Sequence, residues 1–201
     1  MVSIRILQAV GPRPAQEWVT RFGFDEDKHP AFLTMALGAG SVTPMQMATG
    51  YAVFANGGYK VQPHLITRIT DFKDRVLVDS PAVVQTSEAP AIPPRNAFVM
   101  TSLLQEVTRS GTAARAQGTL RRPDIYGKTG TTNDAMDAWF AGYQPNLAAV
   151  VWVGYDTPRK LGDRETGGGL SLPVWISFME TALRAQPVTA PAVPEGLVQV
   201  G

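Results

Sequence analysis

The stretch from Ile125 to Tyr155 constrains this chain more than any other. Ile125 to Thr131 is short, extended and rich in small residues. Asp137 to Tyr143 and Leu147 to Tyr155 then pattern as two strands of a hairpin across Gln144-Pro145-Asn146. Proline and asparagine between two apolar runs are turn chemistry. The sequence therefore predicts an antiparallel sheet, with this hairpin and the strand before it at its centre. The longest apolar run, Leu147 to Val153 and on through Tyr155, is far too short to span a bilayer.

Helical signals surround this core. Val2, Ile6 and Val10 recur at intervals of four, so residues 2 to 10 predict a helix that Gly11 and Pro12 stop. A second helix is expected from about Pro14 to Arg21, ended by Gly23. Thr43, Pro44 and Gln46 spell a capping box, so a third helix starts there. Met47, Tyr51 and Phe54 share a face of it, and Asn56-Gly57-Gly58 supplies left-handed residues at its end. Leu65 to Thr70 and Arg75 to Val78 predict a small strand pair around Asp71-Phe72-Lys73-Asp74.

Residues 80 to 94 read as a loop. Arg95 to Thr108 reads as a helix with Phe98, Leu103, Leu104 and Val107 inward. Ser110-Gly111-Thr112 breaks it, and a short helix through Ala113 to Ala116 follows. Gly167-Gly168-Gly169 is expected as a flexible loop before a last helix over residues 171 to 184. Trp175, Phe178 and Met179 are its core candidates, and Trp139 and Trp152 are also assigned to the core. The fold class is α/β: an antiparallel sheet flanked by helices rather than a βαβ array. Residues 1–186 are expected as the folded portion, the C-terminal part of a larger domain, and the Pro, Ala and Val-rich residues 187–201 are expected as a disordered tail.

Composition removes several function classes. Lys plus Arg is 18 and Asp plus Glu is 17, so a nucleic-acid footprint, which needs a basic surplus, is not expected. Cysteine is absent, which excludes disulfides and thiol catalysis. Of the histidines, His29 and His64 lie far apart, so no metal and no cofactor are expected. Met1 leads at once into an amphipathic pattern, and no signal peptide is read.

The stretch richest in chemistry is Gly127-Lys128-Thr129-Gly130-Thr131-Thr132. Alternation on a strand puts Lys128 and Gly130 on one face and Thr129 and Thr131 on the other. An amine beside hydroxyl donors suits a carboxylate. A free strand edge also suits an extended peptide. A given tripeptide such as Lys-Thr-Gly occurs by chance in about one chain in twenty of this length. Alone, it is better explained as a turn with a surface lysine.

Its company changes that. The chain resembles the C-terminal half of the transpeptidase domain of class A penicillin-binding proteins, the bifunctional peptidoglycan synthases, over about residues 1 to 184. The resemblance rests on Val2 to Leu7, Ala36 to Pro44, Tyr51 to Tyr59, Gly127 to Thr132, Asp137 to Tyr143 and Val151 to Asp156, in the family's order. It implies part of a β-lactamase/transpeptidase-like fold and acyl transfer through a serine ester. The implied substrates are stem peptides ending in D-Ala-D-Ala, and β-lactam antibiotics would bind too. The implied place is the extracytoplasmic side of the cell inner membrane, among the cell-wall synthesis machinery. By the same resemblance Lys128 supplies positive charge and helps relay a proton. Thr129 and Thr131 bind the substrate's carboxylate, Gly130 keeps the strand open, and the Thr131 N–H is an oxyanion donor.

The chain departs from the family's pattern in one respect. None of Ser3, Ser41, Ser80, Ser87, Ser102, Ser110, Ser171 and Ser177 has a lysine three residues on or an asparagine two residues on. The Ser-x-x-Lys nucleophile motif and the Ser-x-Asn motif are therefore not in these residues. The expectation is a chain that is inactive alone and that starts just after the second motif, with an apolar face on residues 2 to 10 left to aggregate. A fragment related to D,D-carboxypeptidases or serine β-lactamases shares the Lys-Thr-Gly chemistry, and a non-enzymatic truncated binding module is the rival of another class. Asp25-Glu26-Asp27 is better explained as a solvated loop than a cation site. Asp134 and Asp137 are better explained as caps than a carboxylate pair.

Overall fold

The computed structural model describes residues 2–80 and 89–198. Helices α1 (Val2–Val10) and α2 (Pro12–Val19) come first, and α2 tightens into a 3-10 turn, Thr20–Phe22. Gly23 closes that turn in the left-handed region, at φ 91°. Helix α3 spans Pro44–Ala55. Its capping box forms as the sequence predicts: Thr43 Oγ1 accepts from the Gln46 N–H at 3.1 Å, and Gln46 Oε1 accepts from the Thr43 N–H at 3.0 Å.

Strands β1 (Arg68–Thr70) and β2 (Val76–Asp79) make an antiparallel ribbon. It is shorter than the expected Leu65 start, and all its residues are exposed. With no face buried, nothing rewards extending the ladder back to Leu65. The expected loop over residues 80–94 falls largely outside the described residues.

Helices α4 (Pro94–Arg109) and α5 (Ala114–Leu120) lead into the second sheet. Strands β3 (Tyr126–Thr131), β4 (Ala138–Gln144) and β5 (Leu147–Val153) pair antiparallel in that order, with β4 in the middle. The register runs from Tyr126 opposite Tyr143 to Thr131 opposite Ala138, and from Ala138 opposite Val153 to Gln144 opposite Leu147. Helix α6 (Leu172–Ala182) closes the fold.

The sheet is covered on both faces. Phe140 on one face meets Trp175, Leu172, Ile176 and Met179 of α6, with Ala113, Ala116 and Ile125 completing the cluster. The Phe140 and Trp175 rings meet edge-on at 4.9 Å, a geometry that contributes about 1 kcal/mol beyond area burial. The Trp175 indole N–H, buried in this cluster, donates to the Ala149 carbonyl at 2.9 Å. On the other face Tyr126 and Tyr143 stack under Leu104 of α4 and Tyr51 and Phe54 of α3. Burial pushes the Tyr51 and Tyr126 hydroxyls up to about 12, so both stay neutral.

Two helices turn other residues inward than expected. In α4 the buried set is Ala97, Thr101, Leu104 and Thr108, while Leu103 is 61% exposed. Threonines win because their hydroxyls find partners: Thr101 Oγ1 lies 2.7 Å from Tyr143 Oη, and Thr108 Oγ1 donates to the Ile125 carbonyl at 2.6 Å. In α6 Trp175 and Met179 are buried as expected, but Phe178 is 51% exposed beside Val174. Trp139 and Trp152 are half-buried and pack on each other at 6.0 Å rather than filling the core.

Candidate active site

Strand β3 lies at the edge of its sheet, and among the described residues its outer side carries no neighbouring strand. The whole Lys128-Thr129-Gly130-Thr131 run is on this edge. Threonine and a central glycine keep it extended and narrow. At Gly127 a Cβ would lie 2.7 Å from Phe140 Cζ and 2.8 Å from the Ala141 carbonyl oxygen, so this residue must be glycine for β3 and β4 to close. Gly130 is less confined, its nearest obstacle being Trp139 Cβ at 3.2 Å.

The alternation read from the sequence is the one observed. Tyr126 faces α3 and α4, which places Lys128 and Gly130 on that side and Thr129 and Thr131 on the other. Because β3 is an edge, Lys128 folds back along it. Its Nζ donates to the Thr129 carbonyl at 2.8 Å and stands 3.4 Å from Thr129 Oγ1. Partial burial holds the Lys128 pKa below the usual lysine value.

Both threonine hydroxyls are met from behind. Thr129 Oγ1 lies 2.8 Å from Thr112 Oγ1, which comes from the turn between α4 and α5. Thr131 Oγ1 accepts from the Gly167 N–H at 3.0 Å. Gly167 begins a π-type turn, Gly167–Ser171, that runs into α6. Thr166 Oγ1 caps it by accepting from the Gly169 N–H at 3.1 Å, and the buried Ser171 hydroxyl donates to the Ala138 carbonyl at 2.7 Å. The expected flexible loop is therefore an ordered turn, fixed because its first N–H and its serine both find partners on the sheet.

Thr112 and Gly167 are the residues that sequence reasoning missed. Ser110-Gly111-Thr112 was legible as a helix break and the glycine run as a loop. Neither pattern shows which strand the segment will touch. A Cβ at Gly167 would lie 2.2 Å from the Trp139 carbonyl oxygen and 2.4 Å from that of Gly130. The glycine signal was present; its partner was not.

The other candidates do not gather here. Asp137 accepts from the Trp152 indole N–H at 2.8 Å, while the exposed Asp134 stands 3.9 Å from Lys160. They have separate structural partners. Asp25 Oδ2 accepts from Gln46 at the start of α3 at 2.9 Å, and Asp27 pairs with Lys28 at 3.6 Å. His29 is buried, with Nδ1 2.8 Å from the Asp25 carbonyl oxygen, and His64 is exposed.

A small-residue edge strand carrying Lys-Thr-Gly, with helices on both faces of an antiparallel sheet, matches one of the three motifs that mark penicillin-recognising proteins. Comparison with known proteins is more specific. The model of the penicillin binding protein transpeptidase domain matches residues 1–180. Penicillin-binding protein 1A of Neisseria flavescens is 48% identical over 202 residues, covering all of this chain and 25% of that protein. The protein of the same name from Pseudomonas aeruginosa is 39% identical over 246 residues, covering 100% of this chain and 30% of its own length. The crystal structure of penicillin-binding protein 1A from Haemophilus influenzae superposes with a TM-score of 0.89 at 34% identity, over 96% of this chain and 34% of that one. PonA1 of Mycobacterium tuberculosis, solved in complex with penicillin V, superposes at 0.66 with 26% identity, over 83% of this chain and 45% of that one. The chain belongs to the penicillin-binding protein transpeptidase family, and it spans about a quarter of the length of its Neisseria relatives.

Proposed function

We propose that residues 1–201 supply the carboxylate-binding side of a serine D,D-transpeptidase site in a bifunctional peptidoglycan synthase. The observation that carries this reading is the free edge of β3, where the Lys128 amine and the Thr129 hydroxyl stand 3.4 Å apart and Thr131 follows on the same edge. A stem peptide ending in D-Ala-D-Ala lies along that edge as an added strand. Its terminal carboxylate takes the hydroxyl protons of Thr129 and Thr131 and the field of Lys128. A β-lactam carboxylate binds in the same way.

The serine that attacks the D-Ala-D-Ala bond comes from a part of the family fold that this chain does not span. On attack the carbonyl carbon becomes tetrahedral and its oxygen negative. The Thr131 N–H is one donor to that oxygen, and such a donor lowers the barrier by about 3 kcal/mol. The D-alanine amine leaves with the proton the serine gave up, and an acyl ester remains. An amine of a neighbouring strand then attacks that ester, an amide forms, and the serine oxygen leaves with the amine's proton. The lowered pKa of Lys128 makes it a fitting relay for the protons exchanged.

Fluorescent penicillin labelling followed by denaturing electrophoresis tests this. The 201-residue chain should show no covalent band. The N. flavescens relative with its matching stretch replaced by this chain should label, and T129V in that graft should cut labelling about tenfold. A covalent band on the chain alone would mean that it holds its own nucleophile.

A further inference from the structure

The two hydroxyls that face the proposed carboxylate are not held alike. A hydroxyl has one proton to give and two lone pairs to accept with. Thr131 Oγ1 accepts from the Gly167 N–H, which can only donate, so the Thr131 proton is left free. Thr129 Oγ1 faces a second hydroxyl, Thr112 Oγ1, at 2.8 Å, and that pair can donate in either direction. If Thr129 gives its proton to Thr112, it has none for an anion.

Thr112 is fixed well enough for this to matter. It sits in the short turn between α4 and α5, outside the Lys-Thr-Gly run. The Gly111 N–H donates to the Glu106 carbonyl and the Ala113 N–H to the Val107 carbonyl, both at 3.1 Å. A Cβ at Gly111 would lie 2.9 Å from Val107 Cα, so the turn is folded tightly under the end of α4. On its other side the Thr112 carbonyl oxygen would lie 3.5 Å from a Cβ at Gly168. Thr112 therefore stands where the α4–α5 turn, β3 and the Gly167 turn meet.

We infer that Thr112 is a positioning residue for carboxylate recognition. This rests on the proposed role of Thr129. A carboxylate arriving at β3 is the stronger acceptor, so Thr129 donates to it and Thr112 donates to Thr129. Thr112 thereby holds the Thr129 rotamer, and a hydrogen bond received by a hydroxyl strengthens the one it gives. Gly167 does the same for Thr131 through a backbone N–H. Both protons then point out of the edge toward one anion.

The test is a titration of the 201-residue chain with acetyl-Lys(acetyl)-D-Ala-D-Ala and with its C-terminal amide, followed by the Gly130 and Thr131 amide NMR shifts. The acid should bind more tightly than the amide. T112V should weaken the acid about fivefold, leave the amide unchanged and keep the rest of the spectrum native. T112S, which restores the hydroxyl, should bind the acid within about twofold of the parent. T112A carries the test if T112V loses the native spectrum. Acid binding by T112V at the parent's strength, with T129V still weakening it, would overturn the role of Thr112 alone. Equal binding of acid and amide by the parent chain would overturn the carboxylate reading of β3, and this inference with it.

Discussion

Gly167 is where a single missing side chain decides the geometry of the site. The Cβ of an alanine there would lie inside contact distance of two backbone carbonyl oxygens, those of Trp139 and Gly130. Neither atom belongs to a side chain that can swing away. G167A must therefore lift the turn off β3 and break the Gly167 to Thr131 hydrogen bond. The expected loss of stability is about 2 kcal/mol, measured by urea unfolding of the chain. An unchanged unfolding midpoint would show that the turn can shift freely over the sheet. At this scale the sequence was legible in the alternation of Lys128, Thr129, Gly130 and Thr131, which follows from their own order in the strand. Thr112 and Gly167 were not, because their meaning comes from contacts 17 and 36 residues away.

Elements with local signals follow closely from the sequence, and elements set by tertiary partners do so less. Helix α3 begins where Thr43, Pro44 and Gln46 say it must, since a capping box needs nothing beyond four consecutive residues. T43A should cost about 1 kcal/mol in urea unfolding, with T43S recovering most of it. A neutral T43A would mean that the Gln46 contact to Asp25 holds the helix start by itself. Helix α4 shows the opposite case. Periodicity favours Leu103 as an inward residue, but Thr101 and Thr108 face the sheet. Polar residues enter a core when their hydroxyls are satisfied there, and the satisfying atoms, Tyr143 Oη and the Ile125 carbonyl, are far off in sequence. The hairpin of β4 and β5 was legible because both its strands and its turn are contiguous. The glycine run at Gly167 predicts a flexible loop, and the turn is ordered instead, because such a run carries no sign of the sheet that orders it.

Over the whole molecule, burial is uneven. The sheet and its helices are well covered, while Val2, Ile6 and Val10 of α1, the β1–β2 ribbon, and Val174 and Phe178 of α6 are exposed. The exposed face of α1 was legible as an apolar stripe. The start of the Pro, Ala and Val-rich segment is tied down by a buried ion pair that no local pattern announces. Arg122 donates to both carboxylate oxygens of Asp124, at 3.0 and 2.7 Å, and also to the carbonyls of Gln186 and Pro187. Gln144 at the end of β4 and the Thr189 N–H donate to Asp124 Oδ2 as well, at 3.2 and 3.0 Å. Burial by itself would raise the Asp124 pKa. The hydrogen bonds from Arg122, Thr189 and Gln144 and the guanidinium charge outweigh it and hold the carboxyl below the usual carboxylate range. A folded pKa below the unfolded one stabilises the fold above the unfolded pKa of about 4. That contribution is lost as pH falls through the folded value. Urea unfolding should therefore show stability declining in this acid window, and D124N should flatten that decline. At neutral pH D124N should be less stable by about 3 kcal/mol, because the largely covered Arg122 is left without its counter-charge. If D124N kept the parent's acid slope, the slope would belong to other carboxylates, and the junction of β3, β4 and residues 186–189 would owe little to this pair.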